Sequence, residues 1–272
     1  MRERLYRVEA IVLKRSDFGE ADRLLTLYTP DRGKLRAIAK GARKPSSRKS
    51  GHVELFTHST LLLAKGRHLD IVTQADTLDA FLPLRENLER LGYAYYLAEL
   101  VDQFAEENVE NHPLFDLLRR ALGWLGDGAD DPALLARFFE LHLLQHVGYR
   151  PQLFNCVNCG RALEPVENFF SADAGGVLDP DCGSKFRIQN SKFESQVMNY
   201  GLQITNISLD ALKVLRFLQT REYVTVRSLR LNAEVHAEVE TLMQRYIVHH
   251  LERNLKSVEF LQALRRPPVA SG

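Results

Sequence analysis

The sequence predicts an α+β protein, with a small N-terminal β barrel followed by a mainly α-helical region that contains an inserted cysteine module. Five short segments in residues 1–80 have the alternating or β-branched pattern of strands. From residue 81 onward, apolar residues recur at intervals of three and four, which is typical of amphipathic helices. The predicted divisions are the barrel at 1–80, a first helical part at 81–150, a zinc-knuckle-like module with a polar excursion at 151–206, and a C-terminal helical part at 207–272.

The predicted strands are separated by residues suited to turns. Over residues 29–33 the chain reads Thr-Pro-Asp-Arg-Gly, with Pro and Asp early and Gly late, as a tight hairpin connection needs. A Lys-Gly-Arg-His loop at residues 65–68 predicts a second hairpin. The five predicted strands cover residues 6–14, 23–29, 33–40, 53–64 and 69–77.

Residues 33–49, which we call the basic segment, give the first functional signal. In its first half Leu35, Ala37 and Ala39 alternate with cations, so a strand would separate an apolar face from a cationic one. Its second half sets cations among Gly, Pro and Ser without an acid. Because a cation that pairs with a phosphate releases a counterion, we predict nucleic acid as the partner, the alternative being a solubilising edge strand. The candidate DNA-binding residues are Lys34, Arg36, Lys40, Arg43, Lys44, Arg48 and Lys49.

Aromatic residues in the predicted barrel have two interpretations. Exposed rings could stack on nucleic-acid bases, whereas buried rings would form the core. The residues are Tyr6, Phe18, Tyr28 and Phe56, and we expect Phe18, in a polar loop, to be exposed. Five strands with a basic face favour the oligonucleotide-binding type of barrel.

Helix boundaries follow from caps and prolines. The apolar spacing from Leu84 predicts a long first helix, and Pro113 and Pro132 fall in the first turns of the next two. Ser208 and Asn232 are predicted N-caps of later helices. Residues 189–206 are polar and unpatterned, which predicts an excursion or mobile loop.

A metal site is predicted in the cysteine module. Cys156 and Cys159 provide two thiolates on a tight turn, and Cys182 provides a third. Asp179 stands three residues before Cys182, where a second Cys-x-x-Cys would begin, and carboxylate oxygen is an accepted zinc ligand. We therefore predict a structural Zn²⁺ held by Cys156, Cys159, Asp179 and Cys182, with no open position for a catalytic water.

Competing oxygen and nitrogen donors lie near these residues. Asp181 is an alternative carboxylate, and His142 and His146 are one helical turn apart. We prefer to interpret the histidine pair as an ordinary packed helix face.

Enzyme motifs are scarce. The sequence has no phosphate-binding Gly-x4-Gly-Lys-Ser/Thr loop, no His-Glu-x-x-His and no Gly-x-Ser-x-Gly. His52-Val53-Glu54 with the later Cys-x-x-Cys superficially resembles zinc nucleobase deaminases, but Asn155 replaces the proline of that motif. We predict a protein without catalytic residues, and the alternative function is a protein-interaction adaptor with no direct DNA role.

Charge is distributed unevenly along the chain. Residues 1–80 carry sixteen Lys or Arg against ten acids, a net +6, whereas residues 81–150 carry six against twelve, a net −6. The first segment could therefore face nucleic acid. The sequence shows no signal peptide, no membrane span and few cysteines. This pattern predicts a cytoplasmic protein in a reducing compartment.

Several stretches resemble a known family. Ala-Ile-Val-Leu-Lys-Arg at 10–15, Phe-Gly-Glu-Ala-Asp-Arg at 18–23, Gly-Lys-Leu at 33–35 and Ala-Lys-Gly-Ala-Arg at 39–43 resemble the N-terminal signature of the bacterial RecO recombination mediators. Cys-x-x-Cys-Gly from 156, Gly-Gly-Val-Leu at 175–178 and Ser-Val-Glu-Phe-Leu at 257–261 are similar to later landmarks of that family.

The resemblance implies an oligonucleotide-binding domain, a helical domain and a zinc module. It also implies a non-enzymatic, nucleoid-associated role in homologous recombination repair of DNA damage. Such a protein binds single- and double-stranded DNA, anneals complementary strands, and with RecR helps RecA load onto DNA coated by single-strand-binding protein, whose acidic tail binds the helical domain. This chain departs from the family at Asp179, where many members have a fourth cysteine.

Overall fold

A computed structural model of the protein describes residues 4–128, 130–191 and 204–265. The chain divides into two compact units, one formed by Met1–Pro132 with Leu255–Gly272 and the other by Ala133–Asn254. The α+β class and the N-terminal five-stranded barrel are confirmed. The division at residues 80, 150 and 206 remains a prediction.

The barrel is closed in the order β1-β2-β3-β5-β4. Strand β1 pairs antiparallel with β2 and β4, β2 pairs antiparallel with β3, and β4 pairs antiparallel with β5, whereas β3 runs parallel to β5. A five-stranded barrel of this kind is an oligonucleotide-binding fold. The strands are β1 Leu5–Phe18, β2 Asp22–Thr29, β3 Gly33–Ala39, β4 His58–Ala64 and β5 Asp70–Asp79.

The predicted apolar face of β3 is confirmed. Val8, Ala10 and Val12 of β1 are buried in one cluster with the alternating apolar residues of β3. A register shift between Val12 and Lys14 then inserts one residue into β1. Because side chains alternate along a strand, this bulge reverses which residues face outward in the second half of β1.

Three predicted boundaries are wrong. The first strand ends at Phe18 rather than at residue 14, and the other two errors lie beside turns. The fourth strand begins at His58 rather than at residue 53, because a 3₁₀ turn and Phe56 at φ 64° precede it. The first long helix begins at Leu88 rather than Leu84, since the Asn87 side chain accepts the Arg90 N–H and caps the helix there.

Three helices accompany the barrel in the first unit. Helix α8 packs against α1 at Gly92, where a Cβ would lie 3.0 Å from a methyl carbon of Leu261. Glu99 of α1 accepts the N–H groups of Lys256 and Ser257 at 3.1 and 2.8 Å, so it caps α8. The helices are α1 Leu88–Phe104, α2 His112–Asp127 and α8 Lys256–Arg265.

The remaining elements include a small three-stranded sheet of order β7-β6-β8. Ser208 and Asn232 cap helices as predicted, accepting the N–H groups of Ala211 and Val235. The predicted excursion at 189–206 is wrong at both ends, which lie in α4 and β8, and its residues 192–203 lie outside the described residues. These elements are α3 Pro132–His146, β6 Asn168–Ser171, β7 Gly176–Leu178, α4 Pro180–Ser191, β8 Ile204–Ile207, α5 Leu209–Thr220, α6 Tyr223–Val226 and α7 Ala233–Leu251.

Candidate nucleic-acid interface and candidate metal centre

The strand half of the basic segment contains one engaged cation and one exposed cation. The Lys34 ammonium donates to the Asp102 carbonyl oxygen at 2.5 Å and lies 3.7 Å from its carboxylate, and its side chain is 18% exposed. Arg36, two residues along, is 71% exposed, with Glu107 at 3.9 Å. Lys34 therefore ties β3 to the end of α1, and Arg36 remains accessible to a ligand.

The loop half is a series of turns held against the β1–β2 connection. Asp22 accepts the Gly41 N–H at 2.8 Å, and the Arg43 N–H donates to the Ala21 carbonyl at 2.9 Å. Gly41 has φ 66°, a conformation that glycine adopts without a Cβ clash. The sequence thus builds a defined loop, anchored at its start, rather than an unstructured tail.

The cations of this loop differ in their partners. Arg43 lies 3.4 Å from the Asp17 carboxylate, and the Lys49 ammonium donates to the Val72 carbonyl at 3.0 Å. Lys40, Lys44 and Arg48 are exposed and form no ion pair within the part of the chain that the structure describes. Within the basic segment, these three and Arg36 are the cations most available to an external anion.

Glu54 neutralises two arginines next to the basic segment. Its carboxylate lies 2.7 Å from Arg15 and 2.6 Å from Arg23. His52 shares a hydrogen bond of 2.7 Å with the Thr77 hydroxyl. Both members of the His-x-Glu pair are therefore engaged in contacts within the barrel unit, which gives the deaminase-like interpretation no support.

The four candidate aromatics separate into core and surface. Tyr28 and Phe56 are buried, and Tyr6 is half-buried and packs against the barrel core. Phe18 is 51% exposed, as expected, although it ends strand β1 rather than lying in a loop. Of the four, only Phe18 offers a largely open ring.

A groove on the outer face of the barrel was not foreseen from the sequence. It encloses about 980 Å³ between strands β1–β3 and helices α1 and α8. Its floor contains a row of three cross-strand neighbours, in which Thr26 of β2 lies between Lys14 of β1 and Arg36 of β3. Tyr95 of α1 and Phe260 of α8 also line it, at 40% and 41% exposure. The spacing of apolar residues gave no signal that Tyr95 of α1 would be exposed.

The four predicted metal ligands come together in the second unit. One ligand atom from each of Cys156, Cys159, Asp179 and Cys182 lies within 4.8 Å of all the others. Cys156, Asp179 and Cys182 are buried, and Cys159 is exposed. Three thiolates and one carboxylate suit a tetrahedral Zn²⁺, so this donor set fits the predicted metal.

Two local structures bring these ligands together. The Gly160 N–H donates to the Cys156 carbonyl at 2.9 Å, which closes the Cys-x-x-Cys turn. Asp179 precedes helix α4 and accepts the Cys182 N–H at 2.7 Å, while its other carboxylate oxygen lies 2.9 Å from the Cys159 sulfur. Asp179 therefore caps the helix that carries Cys182 and at the same time faces the cysteine turn.

Arg161 adds positive charge beside the cluster. Its guanidinium donates to the Cys159 sulfur and to Asp179, each at 3.3 Å. The hydrogen bond from Arg161 lowers the pKa of the Cys159 thiol. The hydrogen bond from Cys159 holds the pKa of Asp179 well below its usual range. The hydrogen bond from Arg161 therefore favours the thiolate of Cys159, which is the form that binds a metal.

The competing donors lie outside this cluster. Asp181 is exposed and lies 3.7 Å from Arg161. The His142 ring shares a 3.1 Å hydrogen bond with the Leu218 carbonyl, and its centroid is 4.1 Å from that of Phe138. Burial lowers the pKa of both His142 and His146. The histidine pair therefore belongs to a packed helix face.

Comparison with known families identifies the chain. Residues 1–81 match the family model for the N-terminal part of recombination protein O, and residues 85–259 match the model for its C-terminal part. The chain belongs to the RecO family. Its two matches cover the barrel and nearly all of the remaining chain, so the family assignment applies to both units.

Individual relatives agree with this assignment over nearly their full length. A DNA repair protein RecO of Roseiflexus sp. is 46% identical over 98% of this chain and 88% of its own. The RecO of Dehalococcoides mccartyi is 36% identical over 96% of each chain, and that of Pelotomaculum thermopropionicum is 38% identical over 99% of this chain and 98% of its own. A role in DNA repair follows from this membership.

Within residues 4–128, 130–191 and 204–265, no helix combines the length and the apolar character needed to cross a bilayer.

Proposed function

We propose that the protein is a DNA-binding recombination mediator whose basic segment holds the sugar-phosphate backbone. The observation that carries this proposal is the group of four accessible cations, Arg36, Lys40, Lys44 and Arg48, on and beside strand β3 of an oligonucleotide-binding barrel. Because phosphate contacts give affinity without a base code, binding is independent of sequence. Arg43 contributes less because Asp17 faces it, and Lys34 and Lys49 brace the segment.

The family resemblance extends the proposal to partners. The protein binds single- and double-stranded DNA and anneals complementary strands. With RecR it helps to load RecA onto DNA coated by single-strand-binding protein, whose acidic tail binds the helical part of the chain. It acts in the cytoplasm in association with the nucleoid and has no catalytic residues.

For the metal, we propose one structural Zn²⁺ per chain. Cys156, Cys159, Asp179 and Cys182 would hold it, and Arg161 offsets part of the negative charge of the three thiolates and the carboxylate. Bound zinc would link the cysteine turn to the start of α4. The chain's own hydrogen bonds already place these groups together, so the metal would stabilise the local fold and would supply no reaction.

The test is annealing of two complementary DNA strands that are first coated with single-strand-binding protein. Bare strands can be joined by many polycations, so the coat makes the assay selective. We expect acceleration that requires both the acidic tail of the coat protein and the four accessible cations. DNA binding without any acceleration would reduce the function to generic nucleic-acid binding, and a salt-insensitive protein partner with no DNA binding would favour the adaptor.

A further inference from the structure

We propose that the groove between the barrel and helices α1 and α8 holds unpaired bases of single-stranded DNA. This inference rests on the proposed function, because it assumes that the basic segment holds the backbone. It adds a base-stacking site formed by Tyr95 and Phe260 and a preference for single strands over duplexes. Tyr95 and Phe260 both lie outside the basic segment.

The first argument is continuity with the basic segment. Arg36 belongs to that segment and also lines the groove, where it lies across from Thr26 and Lys14. A strand whose phosphates contact Arg36 therefore passes the mouth of the groove. The Ser16 and Thr26 hydroxyls, which also line the groove, can donate to or accept from base edges.

The second argument is the electrostatic character of the groove. Lys14 lies 2.5 Å from the Asp102 carboxylate and Arg15 lies 2.7 Å from Glu54, so these two lining cations are neutralised by the chain itself. Glu99, the acid of the lining, caps α8 with both carboxylate oxygens. Arg36 and Lys256 also line the groove, and both are exposed. The groove therefore offers two accessible cations for phosphates beside apolar walls that suit uncharged bases.

The third argument is the way the rings are supported. Phe56 is held at φ 64°, which is unusual for a bulky residue, by an N–H bond of 2.8 Å to the Val12 carbonyl. Its buried ring meets Tyr95 edge-on, with centroids 5.1 Å apart. Phe260 is fixed by the docking of α8, which Glu99 caps and which approaches α1 at Gly92. Both exposed rings therefore have rigid backing, which lowers the entropy lost when a base stacks on them.

The volume of the groove agrees with this occupant. About 980 Å³ lies at the upper end of the range for sites that take small molecules, and it is room for more than one base. A duplex keeps its bases stacked and paired, so it can reach only the cations outside the groove. The two DNA forms should therefore respond differently to loss of the rings.

The experiment compares three DNA probes with the full-length protein by fluorescence anisotropy. The probes are an oligo-dT strand, an abasic strand of equal length, and a duplex of equal length. The variants are Tyr95→Ala, Phe260→Ala and the conservative Tyr95→Phe. Phe154→Ala is the matched control, because Phe154 is 40% exposed and lies outside the groove. Thermal unfolding of each variant checks that α1 and α8 remain docked.

We expect each alanine variant to bind oligo-dT about fivefold or more weakly, the low end of base–aromatic stacking. Its affinity for the abasic strand and the duplex should stay within twofold of wild type, as should all three affinities of Tyr95→Phe and Phe154→Ala. The dependence of affinity on salt should not change, because no phosphate contact is removed.

Four results would overturn the inference. Unchanged oligo-dT binding by both alanine variants would show that the rings do not stack on bases, while DNA binding itself, and with it the proposed function, would stand. Equal losses on all three probes would indicate a change of fold. Binding of a labelled acidic peptide that both alanine changes weaken, with no effect of either change on oligo-dT, would assign the groove to an acidic peptide instead. Absence of all DNA binding would refute the proposed function as well.

Discussion

The cysteine module and the basic segment differ in how their functional side chains are used. In the module, the four candidate ligands contact one another within 4.8 Å and are fixed by local hydrogen bonds. In the basic segment, Lys34 and Lys49 bind carbonyl groups of other elements, whereas Lys40, Lys44 and Arg48 have no ion-pair partner among the described residues. A candidate metal site is recognised by the contacts among its ligands. A candidate DNA-binding surface is recognised by cations that have no partner among the described residues.

The largest effect is expected from removal of a buried ligand in the module. We predict that Cys156→Ser weakens zinc binding at least about 100-fold, because a lost ligand costs more than a lost outer-shell partner. Zinc content after purification, measured by mass spectrometry, should fall from one ion per chain towards zero. Asp181→Asn is the control, since Asp181 is exposed and lies outside the cluster. Retention of full zinc content by Cys156→Ser would contradict the proposed site.

The next largest effect is expected when accessible cations of the basic segment are removed. We predict that Lys44→Ala with Arg48→Ala weakens DNA binding about tenfold at low salt, because two phosphate contacts are lost. The control is Arg119→Ala with Lys213→Ala, which removes the same charge from residues paired with an aspartate of their own helix. Binding is measured by anisotropy with single and double strands. Equal losses of DNA affinity in both double variants would show that the effect depends only on net charge.

An engaged cation should behave in the opposite way. We predict that Lys34→Ala lowers the free energy of unfolding by about 1 kcal/mol, because Asp102 loses its hydrogen-bonded partner. DNA affinity should change less than twofold. Thermal unfolding and anisotropy on the same sample measure both quantities. A large loss of DNA affinity with unchanged stability would place Lys34 among the phosphate contacts.

The smallest effect concerns the mixed ligand set. We predict that Asp179→Cys raises zinc affinity about threefold to tenfold, because thiolate is a softer ligand for zinc. The same change removes the cap of helix α4, which should cost the metal-free protein about 1 kcal/mol. Competition with a chelator measures the first quantity and unfolding without zinc measures the second. A fall in zinc affinity would mean that the carboxylate is the better ligand in this geometry.

The cysteine module and the basic segment also differ in how much of each could be predicted from the sequence. The candidate ligands Cys156, Cys159, Asp179 and Cys182 could be predicted to lie close together because each pair is only three residues apart in the sequence, one on a turn and the other at the start of α4. Alternation along β3 likewise separated Leu35 and the other core residues from the cations. Whether Lys34 was free could not be predicted, because Asp102 lies 68 residues away in the chain.

The groove was beyond sequence reasoning for a related reason. Tyr95 and Phe260 are 165 positions apart in the sequence, and each reads as an ordinary apolar helix residue. Their shared environment depends on the docking of α8 and on the bulge in β1 between Val12 and Lys14. Hydrophobic periodicity predicts which face of a helix is apolar, but it does not predict which edge of that face stays open.

The most direct test of the central claim is a salt titration of single-stranded DNA binding. Wild type is compared with the variant in which Arg36, Lys40, Lys44 and Arg48 are all replaced by alanine, and with Lys34→Ala plus Lys49→Ala. For four phosphate contacts we predict a wild-type slope of log affinity against log salt of about −3. The variant with Lys34→Ala and Lys49→Ala should keep this slope, and the fourfold variant should lose nearly all of it. A wild-type slope near zero, or a fourfold variant that keeps the wild-type slope, would contradict the account.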